Sequence, residues 1–282
     1  MKLPDSIQRL LNDKFSGSIS LLKRLMIALE NELLDPQLDP ATFISYIEHI
    51  RHRMETFTVI RHFCDELILS HNVSVQHYPA NYLDFINEYK EFWVHAPQLL
   101  MNNLLKTVQL NNRSVLLHSN SGTIAEVFRQ LPPEYRNIRV YQTLSAPLEE
   151  GRLQALELAE MGYKVTLITD ALAAETMKEM DFLILGADQI RPDTIVNKIG
   201  SLQMVLAAQE FSVPVIVLTE SRKMNTSSKD HQFKDIIRDS GEILKDTHHK
   251  NITARNLYFE EIPRYLVNYV ITEKKLPEHK GD

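Results

Sequence analysis

Asp181-Phe-Leu-Ile-Leu-Gly-Ala-Asp188-Gln-Ile-Arg-Pro-Asp-Thr-Ile-Val-Asn197-Lys198-Ile-Gly200 is the stretch that decides how the chain is read. Phe182–Leu185 is an unbroken apolar run, the pattern of a strand buried on both faces of a parallel sheet. Gly186 and Ala187 follow. Asp188 then puts a carboxylate at the strand's C-terminal end, the edge where open α/β sheets bind their ligands. The next segment holds Pro192 and Asp193 in a loop and presents Asn197 and Lys198 just ahead of a helix. A carboxylate, an amide and an ammonium thus meet in one strand–loop–helix unit. A carboxylate abutting a buried strand loses hydration unless it is paired, and such groups gather at functional sites. Lys198 is its candidate partner.

Outward from this unit, apolar strands alternate with helical stretches, which is the pattern of a parallel sheet. Before it come strands at Ser114–His118, Ile138–Gln142 and Val165–Thr169. The helices between them run over Thr123–Leu131, Glu150–Met161 (closed by Gly162 at the C′ position) and a short stretch through Met180. After it come a helix at Ser201–Phe211, strands at Val215–Leu218 and Leu266–Thr272, and a polar segment over Met224–Lys250 read as loop and exposed helix. No Gly-x-Gly-x-x-Gly follows the first strand and the chain has only 8 glycines, which argues against a dinucleotide site.

The character changes upstream of Asn111. Ile19, Leu22, Leu25, Met26, Leu29 and Leu33 recur at helical spacing after Ser16-Gly17-Ser18. A second helix, capped by Asp39 or Thr42 behind Pro40, carries Phe43, Ile47, Ile50 and Met54 and continues through Ile60, Phe63 and Leu67. A third runs from about Asn81 to Leu110 with a break at Pro97. The expected architecture is therefore α/β: an all-helical domain over 1–110, then a Rossmann-like, mostly parallel sheet with helices on both faces over 111–282.

The composition, 44% apolar and 24% charged over 282 residues, is that of a globular protein. A net charge of -6 disfavours nucleic acid as a direct partner. The single cysteine, Cys64, excludes an intrachain disulfide framework and reads as a core residue. His248-His249 in a polar loop read as a solvated pair, so no metal site is expected. The N-terminus lacks an apolar signal core and no apolar run is long enough to cross a bilayer. A cytoplasmic chain with no membrane partner is expected.

Other strand ends carry chemistry too. His118-Ser119-Asn120-Ser121-Gly122-Thr123 closes the first strand, and a strand-to-helix turn of this kind either binds an anion on free N–H groups or simply caps its helix. The second strand ends in Thr143-Leu144-Ser145-Ala146-Pro147. Arg152 beyond it either reaches a phosphate or pairs with Glu149. Asp170 and Glu220 repeat the placement of Asp188, making three carboxylates at one sheet edge.

In Gly186-Ala187-Asp188, Asn197-Lys198-Ile199-Gly200, Asn256-Leu-Tyr-Phe259, Ile271-Thr272-Glu273 and the His118–Gly122 turn, the chain resembles the superfamily of the α, β and δ regulatory subunits of translation initiation factor 2B. That superfamily also contains methylthioribose-1-phosphate isomerase and ribose-1,5-bisphosphate isomerase. The likeness implies a catalytic aspartate at Asp188, with Asn197 and Lys198 completing the site. It also implies departures. The isomerases' catalytic cysteine falls at Ser119, and a hydroxyl needs a neighbouring base where a thiol does not. Their Glu-Ser/Thr-Arg-Pro motif becomes Leu144-Ser145-Ala146-Pro147, without the phosphate-binding arginine, and an N-terminal Arg-Gly-Ala becomes Ser16-Gly17-Ser18.

The expected site thus has Asp188 and Ser119 as its reactive pair, with His118, Asn120, Ser121, Gly122, Ser145, Arg152, Asn197, Lys198 and Gly17 around the ligand. No cofactor is implied. The first reading is a family member that binds a phosphorylated sugar or nucleotide without the standard isomerase machinery. The alternative is an active aldose–ketose isomerase using Asp188, with Ser119 or His118 in the second role. Analogy adds a homodimer formed through the C-terminal domain, related subunits as further partners, and a role in translation.

Overall fold

The computed structural model describes residues 3–13, 18–54, 57–73, 77–225, 237–244, 249 and 251–274. The chain divides into two compact units, residues 1–95 and 96–282. The first unit is helical: α1 (Asp5–Leu11), α2 (Ser18–Leu33), α3 (Pro40–Arg53), α4 (Thr58–Val73) and the first part of α5 (Ala80–Thr107). Leu22, Leu25, Leu29, Phe43, Ile47, Ile60, Phe63 and Tyr82 form its core, and Cys64 lies fully buried among them. Asp39 caps α3, its carboxylate accepting from Thr42 N–H at 3.0 Å with Pro40 in the first turn.

Two helical expectations are corrected. The stretch read as one helix from Phe43 to Leu67 is two, because α3 closes at Met54, whose N–H bonds Ile50 O, and Phe57 N–H turns back onto Met54 O. The apolar spacing carries straight across that turn, so periodicity cannot see it. The break expected at Pro97 does not occur, and α5 runs through it for 28 residues. A mid-helix proline costs about 3 kcal/mol. Past it, Leu100, Met101 and Leu104 are buried on the stretch that belongs to the second unit.

The second unit is built on β1 (Ser114–Leu117), β2 (Arg139–Thr143), β3 (Lys164–Ile168), β4 (Phe182–Leu185), β7 (Val215–Leu218) and β9 (Tyr269–Ile271). They form one sheet in the order β3-β2-β1-β4-β7-β9, every pair parallel. Side chains alternate between two cores, as a sheet covered on both faces requires. Leu116, Leu183, Leu185, Val215 and Val217 pack towards α8 (Ala173–Thr176) and α9 (Ser201–Glu210). Val115, Leu117, Ile184, Ile216 and Leu218 pack towards α6 (Gly122–Gln130), α7 (Gly151–Glu160) and the end of α5. Gly162 follows α7 at φ +92°, as its C′ reading requires.

The strand order reverses between β1 and β4: β2 and β3 lie to one side of β1, β7 and β9 beyond β4. This switch point opens a crevice above the C-terminal ends of β1 and β4. Ser119 and Asp188 stand there.

The segment expected as a loop before α9 is a hairpin instead. β5 (Gln189–Ile190) and β6 (Thr194–Lys198) pair antiparallel about Pro192-Asp193, and Arg191 N–H closes the turn on Thr194 O at 2.8 Å. β6 also pairs with β8 (Phe259–Pro263), a strand the sequence reading missed because its partner lies some sixty residues away. Asn197 and Lys198 therefore sit on a three-stranded sheet, not on a loop. The segment Met224–Lys250 falls largely outside the described residues. Among the described residues no helix is long and apolar enough to cross a membrane.

Candidate active site

The end of β1 is held by a chain of buried hydrogen bonds. His118 is 2% exposed. Its Nε2 lies 2.9 Å from Ile199 O, and a carbonyl only accepts, so Nε2 carries the proton. Nδ1 then accepts from Thr143 Oγ1 at 2.6 Å. Burial holds the imidazole below the ordinary histidine range, hence neutral. Ser145 Oγ lies 3.1 Å from Thr143 Oγ1 and accepts Ser119 N–H at 2.7 Å. Asp170 takes the N–H groups of Ser145 and Ala146 on its two oxygens, at 2.8 and 2.7 Å. Both ring nitrogens of His118 are therefore occupied, and the ring joins the end of β1 to the start of α9.

Ser119 and Ser145 have φ of +67° and +65°, a region non-glycine residues rarely occupy and one that clusters at functional sites. Two glycines allow the crowding. A Cβ on Gly151 would lie 1.9 Å from Thr143 O, and one on Gly186 would lie 2.7 Å from Ser121 Oγ. Gly186 thus lets the end of β4 approach the β1 turn.

Of that turn, Ser121 caps α6, its hydroxyl accepting from Ile124 N–H, while its own N–H bonds Gln154 Oε1 at 2.6 Å. Gly122 opens α6 and a Cβ there would meet nothing within 4 Å. Asn120 is exposed. Arg152 pairs with Glu149 at 2.8 Å on a half-exposed surface. Gly17 lies outside the described residues.

Across the crevice, Asp188 ends β4. Water reaches it, yet protein packs densely around it, as on the wall of a hollow. That desolvation raises its carboxyl above the usual carboxylate range, against the pull of the Lys223 and Lys198 ammoniums and with a further push from Glu150. No side-chain hydrogen bond ties Asp188 down among the described contacts. Lys198, its expected partner, is 4% exposed and pairs with Glu150 at 2.6 Å, lying over the Tyr258 ring at 4.6 Å. Lys223 Nζ bonds Ala187 O at 2.8 Å. Asn197 is turned inward, donating to Ser201 Oγ at 2.9 Å at the start of α9. The other two strand-end carboxylates are structural. Asp170 holds backbone, and Glu220 pairs with Arg222 at 2.6 Å in the interior.

Glu150 is the residue the sequence reading missed. Its Oε1 accepts from Ser119 Oγ at 3.2 Å and from Lys198, while its Oε2 is buried with no partner. In the sequence it is one of two glutamates before a helix, with no local signal to separate it from Glu149. Next to the His118 strut lies a cavity of about 290 Å³ lined by Ala146, Asp170, Ile199, Gly200, Gln203 and Glu260; Asp188 does not line it. Among the described residues no cluster of three or more His, Cys, Asp or Glu side chains could hold a metal ion.

Comparison with known proteins agrees with this architecture. The profile of the Initiation factor 2 subunit family matches residues 30–275. The ribose 1,5-bisphosphate isomerase of Archaeoglobus fulgidus is 30% identical over 196 residues, covering 67% of this chain and 60% of that protein. The methylthioribose-1-phosphate isomerase of Schizosaccharomyces japonicus is 30% identical over 202 residues, covering 61% and 57%. The chain spans 51–60% of the length of such curated relatives. In fold, the crystal structure of the Pyrococcus horikoshii translation initiation factor eIF-2B superposes with a TM-score of 0.79 at 23% identity, covering 96% of both chains.

Proposed function

The chain belongs to the Initiation factor 2 subunit family, and on that premise we propose that it binds a phosphorylated sugar above β1 and β4 and interconverts its aldose and ketose forms. Asp188 carries the reaction. Opening a ring-closed aldose 1-phosphate to a 1-phosphoketose moves hydrogen from C2 to C1 and a proton from the C2 hydroxyl to the ring oxygen. No net oxidation occurs, but some group must hold a proton at each stage. A carboxyl that water reaches, whose side chain is uncommitted and whose proton affinity is raised, suits that task. Curated relatives bearing isomerase names at about 30% identity support this reading over a silent pocket. In it Ser119 faces the ligand beside Asp188, and Asn120, Ser121 and Gly122 offer polar groups from the β1 turn. His118, Ser145 and Asn197 shape the walls, and Lys198 sets the charge.

A second reading, binding without turnover, draws on Ser119 and Ala146, which stand where the resemblance puts a thiol and a phosphate-binding arginine. Assays with methylthioribose 1-phosphate and ribose 1,5-bisphosphate choose between them. Turnover by the wild type, lost in Asp188→Asn, supports the isomerase; a thermal shift with either sugar and no turnover supports binding alone. Ser119→Cys sharpens the choice, since a thiol ionises far more readily than a hydroxyl, with an ordinary pKa of about 8.5, and raises turnover if the hydroxyl is limiting.

The same reading takes the protein as a cytoplasmic homodimer joined through its sheet unit. Leu153 and Leu156 on α7 and Leu167 on the edge strand β3 are exposed there, at 60%, 59% and 37%. Light scattering at the monomer mass would remove that part of the reading.

A further inference from the structure

Glu150 is placed where it governs what the crevice will accept. It comes from the segment between β2 and α7, yet it touches the β1 turn through Ser119 Oγ at 3.2 Å and β6 through Lys198 Nζ at 2.6 Å. Each contact changes what a ligand meets. A serine hydroxyl has one proton, and Ser119 gives it to Glu150, so the oxygen turned to the ligand offers lone pairs only. Lys198 is the cation that would draw a phosphate to this wall. Its charge is matched by Glu150 at contact distance and its ammonium is roofed by the Tyr258 ring. The second carboxylate oxygen, Oε2, is buried with no partner among the described residues, an acceptor that wants a donor. With Asp188 close by, this side of the crevice is acceptor-rich and anion-poor in welcome, although the family setting calls for a phosphorylated ligand.

We propose that Glu150 is a specificity-determining residue, which makes the Ser119–Lys198 wall accept the hydroxyl end of a sugar monophosphate and reject a phosphate there. The proposal rests on the sugar-phosphate reading given above and narrows it. A monophosphate can turn its unphosphorylated end to this wall, whereas a sugar phosphorylated at both ends must bring a dianion against Glu150 or leave the wall unfilled. In this the chain parts from relatives whose names carry a bisphosphate.

Calorimetric titration of the full chain with ribose 1-phosphate and with ribose 1,5-bisphosphate tests it, in wild type and in Glu150→Gln. Glutamine keeps the shape and the contact to Ser119, removes the charge and releases Lys198. The wild type is expected to bind the monophosphate at least about tenfold more tightly, and Glu150→Gln to gain about tenfold or more in affinity for the bisphosphate. A gain of binding cannot come from misfolding. Tighter binding of the bisphosphate by the wild type, or an unchanged preference in Glu150→Gln, overturns the proposal and leaves the sugar-phosphate reading standing. Failure of the wild type to bind either sugar overturns both.

Discussion

The two walls of the crevice are made of similar residues and behave in opposite ways. On the β1–β2 side, His118, Thr143, Ser145 and Asp170 are bound to one another or to backbone, and each polar group has a partner inside the protein. On the β4 side, Asp188 has water at its face, two ammoniums within electrostatic reach and no side-chain hydrogen bond among the described residues. These four residues make the first wall stiff because they hold one another and the backbone. The second holds a charge the fold leaves uncommitted, and native proteins keep such groups where chemistry or binding uses them. Counting polar residues at strand ends would rank the walls the other way.

The largest expected break in this contrast is Asp188→Asn. Under the isomerase reading it lowers turnover by about 10²–10⁴-fold, the usual reach of a general acid–base group, with the fold intact by circular dichroism. Full activity in that variant would end the distinction between the walls. His118→Phe attacks the other side. It fills the space but removes both ring contacts, leaving Ile199 O without its donor and the Thr143 hydroxyl with Ser145 Oγ alone, and urea unfolding should show a loss of about 1–3 kcal/mol. A loss under about 0.5 kcal/mol would mean the strut is dispensable.

Acid titration of stability separates the walls by sign. His118 is held neutral, so the unfolded chain binds the extra proton, and this contribution is lost as pH falls below the unfolded value of 6.5. Asp188 works the other way. Its raised carboxyl makes the folded chain the better proton binder, so its contribution is present below 3.8 and lost as pH rises through the raised value. His118→Phe should flatten the first slope, and Asp188→Asn should flatten the second and raise stability at neutral pH. The smallest effect belongs to Ser119→Ala. It removes one 3.2 Å bond at a half-buried site, and its cost by the same urea measurement should stay below about 1.5 kcal/mol.

Much of this was legible in the residues. Phe182–Leu185 is the strand it promised to be, and Asp188 stands at its end because a βαβ unit leaves no other place for the next residues. The helical unit and the parallel sheet follow from periodicity alone. What escaped has a common physical cause: it depends on partners far away in sequence. β6 becomes a strand because β8 pairs with it, and Asn197 and Lys198 move with it. The break before α4 hides beneath an apolar stripe that keeps its spacing. Proximity along the chain points Lys198 at Asp188, but Glu150 reaches it first. Asp170 and Glu220 share the placement of Asp188 at the sheet edge, and only the N–H groups and the arginine that hold them set them apart.

The His118 bridge from β1 to Ile199 has one more consequence, and it concerns time. A clamp that shuts on its ligand needs two bodies free to separate, and here the floor between the β1 turn and the start of α9 is fastened by a part-buried bond at 2.9 Å. Under the sugar-phosphate reading, a ligand therefore meets a floor that is already set before it arrives. In stopped-flow mixing its arrival should follow a single exponential whose rate climbs linearly with concentration, without the plateau that a slow rearrangement after encounter would impose.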